Sequence, residues 1–350
     1  MATMKEVADI AGVSIAAVSH VVNGTKRLSP ETTERILMAI QKANYTPNTL
    51  AKSLRSGQTQ TVGVLVEDIR GLPVPEIVGG IGETLSKSGY RMLMYDLHLL
   101  EKLYNQYEQI VAYRARINAG VQALLQAYVD GIIYVGMHDR FLDDIFDPIG
   151  KPLVFAYSHG TQQDTYVTYS NYDSAVAIVN YLIARGHKRI ATITGHPHSY
   201  PTMQRLKGFQ DAVARAGLQL PETYIRTGDW EYNSGYECTE KLLELADRPT
   251  AIFAMNDLMA SGCIHAVCDR GLRVPQDMAV VGFDNREIAQ YLQPPLTTIA
   301  LPTAEIGEHA AKHILAMIQN ADIRPEREII RCRVIERQSV SGQCEEPFTG

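Results

Sequence analysis

Between Thr3 and Asn23 the chain reads TMKEVADIAGVSIAAVSHVVN, and few folds accommodate that run. Thr3 followed three residues later by Glu6 is a capping box, in which a hydroxyl and a carboxylate satisfy N–H groups that a helix start leaves open. Ala8, Ile10 and Ala11 give this helix a small apolar face, and Gly12 ends it. Ser14 caps a second helix, where Val18, Val21 and Val22 recur at helical spacing while Ser19, His20 and Asn23 stay polar. A third start follows at Ser29, Pro30 and Glu31, which supply a cap, a first-position proline and an acid at the positive end of the dipole. Its stripe is Ile36, Leu37, Ile40 and Ala43. Two short helices joined by a glycine turn and covered by a third make either a helix-turn-helix or a plain three-helix packing unit.

Charge separates the two. Residues 1–60 carry seven Lys and Arg against four acids, a balance of +3 in a chain of net charge −6, which leaves −9 for the remainder. A basic head on an acidic body puts the attraction for phosphate at one end. Pro47 then introduces NTLAKSLRSG, closed by Gly57. So short a helix is marginal in water unless it packs on something. Leu54 beside Lys52 and Arg55 fits a minor-groove wedge, with Leu54 partly unstacking a base step and the two cations holding phosphate.

From 61 onward, apolar runs at 61–66, 91–95 and 131–136 alternate with helical patterns, beginning with a helix over 78–89. The alternation repeats after 160, with strands near 190–194, 251–254 and 278–282. Such alternation means parallel sheets wound by right-handed crossovers, and a stretch this long exceeds one comfortable core. The predicted fold is an all-α helix-turn-helix headpiece plus an α/β core of two doubly wound parallel-sheet subdomains. Ligands in open sheets of this kind bind beyond the carboxyl ends of the strands, here between the subdomains.

The quoted headpiece, ANYTPNTLAKSLRSG at 43–57, RGHKRIATITG at 185–195, PTAIFAMNDLMASG at 249–262, GLRVPQDMAVVGFDN at 271–285 and PPLTTIALP at 294–302 together resemble the LacI/GalR family of bacterial transcription regulators over nearly the whole chain. The resemblance implies a periplasmic-binding-protein-like core and a homodimer on double-stranded, pseudo-palindromic operator DNA, with hinge helices folding in the minor groove. DNA contact is thereby assigned to Thr3, Ser14, Ile15, Ala16, Ser19, His20, Asn23, Tyr45, Ala51, Lys52, Leu54 and Arg55. The layout becomes a headpiece at 1–46, a hinge and linker at 47–60, and a core at 61–340 followed by a tail at 341–350. The N-subdomain takes 61–159 and 296–332, and the C-subdomain takes 160–295 and 333–340.

For the cleft, the resemblance carries over Arg205 as a helix-start residue, Trp230, Asn256 and Asp284, with Val74, Tyr157 and Ser199 as further effector contacts. Each has a structural alternative. Trp230 is the only tryptophan and either stacks on a ligand or anchors the core. Asp257 is either a helix cap or functional. Gly71, Leu72 and Pro73 replace an aromatic-bearing loop of many relatives, so a purine stacked there is not expected. Tyr157 stands where sugar-responsive relatives often have Asp, and Leu301 where a lactose-responsive one has Gln. The stretch 97–127 is longer than the usual connection and reads as an elongated surface helix, with a cover over the cleft as the alternative. The expected effector is a small polar metabolite, a sugar or sugar derivative, acting as inducer; corepression is the alternative.

No phosphate loop, HExxH or GxSxG motif is present, which argues against an enzyme. His196 and His198 lack nearby Cys or carboxylate partners in sequence, so no metal and no cofactor is expected. The five cysteines, Cys238, Cys263, Cys268, Cys332 and Cys344, lack zinc spacing and suit a reducing, cytoplasmic setting. A transport receptor would share the cleft, yet it has no use for residues 1–57 and needs an export signal that the N-terminus lacks. No run is long enough to span a membrane, and the tail has no leucine heptads to carry assembly beyond a dimer.

Ile15 and Ala16 cannot read donor–acceptor patterns but can touch a thymine methyl, so direct readout falls to His20, Ser14 and Arg55. Specificity is then expected to lean on the Leu54 kink and DNA deformability. Leu54→Ala should weaken binding to the operator far more than to random duplex in a filter-binding comparison. Equal losses on both would refute the wedge.

Overall fold

The computed structural model describes residues 2–23, 25–45, 58–104, 106–320 and 323–341, so the hinge readings at Ala51, Lys52, Leu54 and Arg55 lie outside the described residues. The chain divides into two units, Met1–Thr59 and Gln60–Gly350.

In the first unit the capping chemistry sets the helix limits. Thr3 Oγ1 accepts the Glu6 N–H at 3.3 Å and Glu6 Oε2 accepts the Thr3 N–H at 2.8 Å, which starts α1, Met4–Ala11. Gly12 at φ 63° ends it in the left-handed region that glycine enters without strain. Ser14 Oγ accepts the Ala17 N–H ahead of α2, Ile15–Asn23, and Ser29 Oγ accepts the Thr32 N–H ahead of α3, Pro30–Lys42. Val7, Ala8, Ala11, Val18, Ile36 and Ala39 fill the small core. Two stripe residues are corrected: Ile10 and Leu37 face solvent, because the inward face of α1 is taken by Val7, Ala8 and Ala11 and that of α3 by Ile36 and Ala39.

The second unit holds a six-stranded parallel sheet of order β11-β5-β4-β3-β1-β2 and a four-stranded parallel sheet of order β7-β6-β8-β9. In chain order the strands are β1 Thr61–Val66, β2 Arg91–Asp96, β3 Gly131–Val135, β4 Leu153–Ala156, β5 Thr165–Tyr169, β6 Ile190–Thr194, β7 Ile225–Thr227, β8 Ala251–Ala254, β9 Ala279–Val281 and β11 Arg327–Ile330. β10 Thr298–Ala300 pairs antiparallel with β12 Arg333–Ile335. Both parallel sheets are doubly wound, each with its first strand flanked by its second strand at one edge and its third on the other side. Connections at the reversal open a crevice beyond the strand ends, and the two crevices face one cleft.

Three expectations on boundaries are corrected. The helix expected over 78–89 begins at Val74, because Pro73 and Pro75 fit a first turn where a missing N–H costs nothing. The first crossing between subdomains does not fall at 159/160: β5 pairs with β4 and β11 in the six-stranded sheet, so the chain leaves that sheet after Tyr169. The 97–127 stretch is not one long helix. It folds as Leu100–Leu103, a 3-10 segment Tyr107–Tyr113 and Arg114–Gln126, with Leu97, Leu99 and Leu103 buried as its anchors. Among the described residues no helix is long and apolar enough to cross a membrane.

The helices Val74–Lys87 and Thr303–Gln319 cover the six-stranded sheet and meet backbone to backbone. A Cβ added at Gly307 would lie 2.0 Å from the Ile77 carbonyl oxygen, and one at Gly80 would lie 2.2 Å from that of Ala304. Gly307→Ala should therefore push the helices apart and cost about 1–3 kcal/mol by overpacking. A lowered urea midpoint is the expected result, and an unchanged one would contradict the contact.

Candidate functional site

The headpiece presents the start of α2 outward. Ser14, Ile15 and Ala16 are exposed, with Ile15 at 49%. An apolar side chain left in water at a helix start is explicable if something covers it, and a thymine methyl in the major groove is one such partner. Ser14 retains a hydroxyl proton after accepting the Ala17 N–H. Ser19 and His20 are half-buried on the same helix, and His20 Nδ1 lies 2.9 Å from Thr25 Oγ1, which fixes the ring. Thr3 is exposed, whereas Tyr45 packs partly against the headpiece core. The side chain of Asn23 lies outside the described residues.

The core contains a cavity of about 700 Å³ at the carboxyl ends of both parallel sheets. Tyr157 follows β4, Trp230 follows β7, Asn256 follows β8 and Asp284 follows β9; Arg205 projects from the helix Tyr200–Arg215, and all five line the cavity. Two expected residues do not. Val74 is fully buried, turned into the sheet-facing side of its helix. Ser199 is spent as a helix cap, accepting the Thr202 N–H at 3.3 Å and donating to Thr202 Oγ1 at 2.9 Å. Nor does Arg205 begin its helix; it sits in the second turn, since the cap is Ser199.

Arg205 is the hub of the cavity floor. Its Nε donates to Asn171 Oδ1 at 2.8 Å, Nη2 to the Tyr169 hydroxyl at 3.1 Å and Nη1 to the Met255 carbonyl. The guanidinium lies 3.5 Å above the Phe283 ring, with Asp284 Oδ1 at 3.9 Å. Asn171 in turn donates to Asp139 Oδ2 at 2.7 Å. Tyr169, Asn171 and Asp139 were not anticipated from sequence, although polar and aromatic residues at strand ends were the available signal.

Trp230 takes a left-handed backbone, φ 75°, and its indole lies directly over Gly195, where a Cβ would come within 2.0 Å of the ring. Asn256 donates to the Trp230 carbonyl at 2.8 Å and accepts the Met259 N–H at 2.7 Å. Its amide is thus engaged at both ends, capping a helix and fixing the tryptophan. The indole Nε1 is buried without a hydrogen-bond partner among the described residues, and the His138 ring stands edge-on at 6.2 Å. Burial, reinforced by the charges of Arg140 and Arg205, pushes His138 well below its ordinary value, so the imidazole is neutral. Tyr157 and Tyr169 share a hydroxyl contact at 3.3 Å, and burial raises both phenols.

At the cavity mouth, the segment expected as a surface helix contributes Leu100, Glu101 and Tyr104 to the lining. Arg70 joins it to β1: Nε donates to Asp68 Oδ1 at 3.0 Å and Nη1 to Glu101 Oε1 at 2.8 Å. Burial would raise Asp68, but Arg70 and the backbone N–H groups of Leu100 and Arg70 outweigh it and hold the carboxyl at about 2. Asp68, Asp96 and His98 are close enough to share a cation. However, Asp68 already binds Arg70, and Asp96 accepts the N–H groups of Ile69 and His98, so the cluster orders the loops.

Asp257 begins the helix Asp257–Asp269 but is not its cap, a role taken by Asn256. It is fully buried, accepting the Thr298 hydroxyl at 2.5 Å and the Arg286 N–H at 2.6 Å. Burial, followed by repulsion from Asp284, pushes its carboxyl up to about 7. The folded state therefore holds a proton that the unfolded chain has lost between about 3.8 and about 7, so stability falls as pH rises through that window. In urea melts at pH 5 and pH 8, Asp257→Asn should reduce the drop seen in the wild type. An undiminished drop would assign the pH dependence elsewhere.

Residues 3–48 match the family described as bacterial regulatory proteins, lacI family, and residues 179–340 match the periplasmic binding protein-like domain. The ribose operon repressor of Escherichia coli (strain K12) is 34% identical over 343 residues, spanning 97% of this chain and 100% of that one. The HTH-type transcriptional repressor PurR of Vibrio atlanticus (strain LGP32) is 30% identical over 349 residues, spanning 97% and 99%. Among solved structures, the lac repressor dimer bound to operator and the anti-inducer ONPF superposes with a TM-score of 0.78 at 27% identity, covering 97% of this chain and 99% of that one. With a capped helix-turn-helix unit at one end and two doubly wound sheets around a cleft in the other, the chain belongs to the lacI family of bacterial regulatory proteins and is a DNA-binding transcription regulator.

Proposed function

We propose that the chain is a cytoplasmic repressor released from a pseudo-palindromic operator by a small polar metabolite, a sugar or sugar derivative, bound in the cleft. The observation that carries the reading is the convergence of Tyr157, Arg205, Trp230, Asn256 and Asp284 on one cavity at the carboxyl ends of both sheets. A carboxylate, phenols and an indole N–H around one flat aromatic face suit a ring bearing hydroxyls. Leu72 and Pro73, in place of an aromatic, speak against a stacked purine and so for induction.

In this reading Ser14, Ile15 and Ala16 enter the major groove with Ser19, His20 and Asn23 alongside. Thr3 and Tyr45 hold the backbone, and Ala51, Lys52, Leu54 and Arg55 dock in the minor groove. Binding two half-sites requires a dimer. β2 is an edge strand with Met92, Leu93, Met94 and Tyr95 all exposed, an apolar row of the kind a second copy covers. A ligand that favours one arrangement of the cleft lowers operator affinity by its differential affinity for the two arrangements.

The test is fluorescence of Trp230 against sugars, sugar derivatives, nucleosides and purines, followed by operator binding with each hit. A saturable change with a sugar, accompanied by weaker operator binding, is expected. A purine that tightens operator binding would overturn both the ligand class and the sign.

A further inference from the structure

We propose that the cleft has an outer compartment, built by the 97–104 segment, and that its ligand is a neutral saccharide of at least two units: one ring sits between Trp230 and Asp284, and the next lies against Leu72 and Tyr104. This rests on the reading of the cleft as a sugar-effector site and goes beyond it in size, charge and the residues that select.

Size comes first. The cavity of about 700 Å³ lies in the upper part of the range for small-molecule sites and is several times the volume of one pyranose. A single ring would leave the mouth filled with water.

Charge comes second. The lining holds six carboxylates and three guanidiniums, and two of the guanidiniums are hydrogen-bonded to other groups. Arg70 is held by Asp68 and Glu101, Arg205 by the Tyr169, Asn171 and Met255 oxygens, and Arg286 lies 3.7 Å from Asp284. His138 is neutral. A phosphate or carboxylate would enter a lining where carboxylates outnumber guanidiniums two to one. Hydroxyls, by contrast, can donate to the carboxylates that keep exposure there, Glu101 and Asp284 among them.

The third observation is how the mouth is built. Tyr104 and Leu72 both line the cavity yet remain 65% and 63% exposed. Tyr104 is held at φ 44°, an unusual conformation for a tyrosine, at the end of Leu100–Leu103. The segment is fixed on both sides: Arg116 Nε donates to the Leu97 carbonyl at 2.6 Å, and the Tyr113 hydroxyl donates to the Lys102 carbonyl at 3.1 Å. Asp68 accepts the Leu100 N–H at 3.0 Å, which ties the segment to the end of β1. An exposed aromatic face and a carboxylate, Glu101, at the cavity mouth suit the C–H face and hydroxyls of a second ring.

The experiment titrates Trp230 fluorescence with common neutral disaccharides, their constituent monosaccharides and the corresponding 6-phosphates, using wild type, Tyr104→Ala and Tyr104→Phe. At least one disaccharide should bind about tenfold more tightly than either constituent, the size of gain one aromatic contact supplies. Tyr104→Ala should erase that gain while leaving monosaccharide affinity in place, Tyr104→Phe should retain it, and the 6-phosphates should bind more weakly than the parent sugars. Circular-dichroism melting checks that both variants fold. A monosaccharide that binds as tightly as every disaccharide containing it, or a preferred 6-phosphate, overturns the outer compartment while the cleft stays a sugar site. Silence across the whole panel overturns the sugar reading itself, and the compartment with it.

Discussion

The Arg205 guanidinium is the interaction on which the core depends. It is carried by a helix of the four-stranded half, yet it donates to Tyr169 at the end of β5 in the six-stranded half and to Met255 at the end of β8. A buried guanidinium costs several kcal/mol unless its donors are matched, and here Asn171, Tyr169, Met255 and the Phe283 face match them. The two sheets therefore cannot slide past each other without exposing an unpaired charge. A ligand entering above this clamp bears on both halves at once, because Tyr169 and Asp284 both flank the same arginine.

Around the clamp, each half contributes a distinct chemistry. The four-stranded half supplies the indole, held in place by Gly195 beneath it and Asn256 beside it. The six-stranded half supplies the phenol pair Tyr157 and Tyr169, kept neutral by burial, and the Asp68–Arg70–Glu101 chain that carries the mouth. On the proposed reading, such a cavity suits ligands that donate and accept at many points. On the proposed function, this is the part of the molecule that senses the effector, while α2 of the headpiece contributes to choosing the operator.

What was legible in the sequence was what is local. Thr3 with Glu6, Gly12, and Ser29 before Pro30 act within one turn, so the headpiece helices begin and end where those residues stand. The long apolar runs of β1, β6 and β8 were equally plain. Short strands such as LVFA at 153–156 and TYVTY at 165–169 become strands only by pairing with neighbours, and β5 therefore could not be assigned to its sheet from its own residues. The same non-locality explains the site. Val74 and Ser199 lie in segments flanking the cavity, but helix phase turns one into the core and capping consumes the other. Asn171 and Asp139 lie far apart in the chain and meet only through the sheet. The role of the 97–127 insertion depended on where its buried leucines anchor it, which helical periodicity does not encode.

If cleft and headpiece form one thermodynamic system, coupling between ligand and operator is reciprocal: whatever factor the ligand takes from operator affinity, the operator takes from ligand affinity. The direct measurement is a fluorescence titration of the identified ligand against the free protein and against the protein saturated with operator DNA, beside an operator titration with and without ligand. The account predicts two losses of equal factor. A ligand that binds the free and the operator-bound protein with the same affinity would contradict it, since the cleft would then carry no message to the DNA.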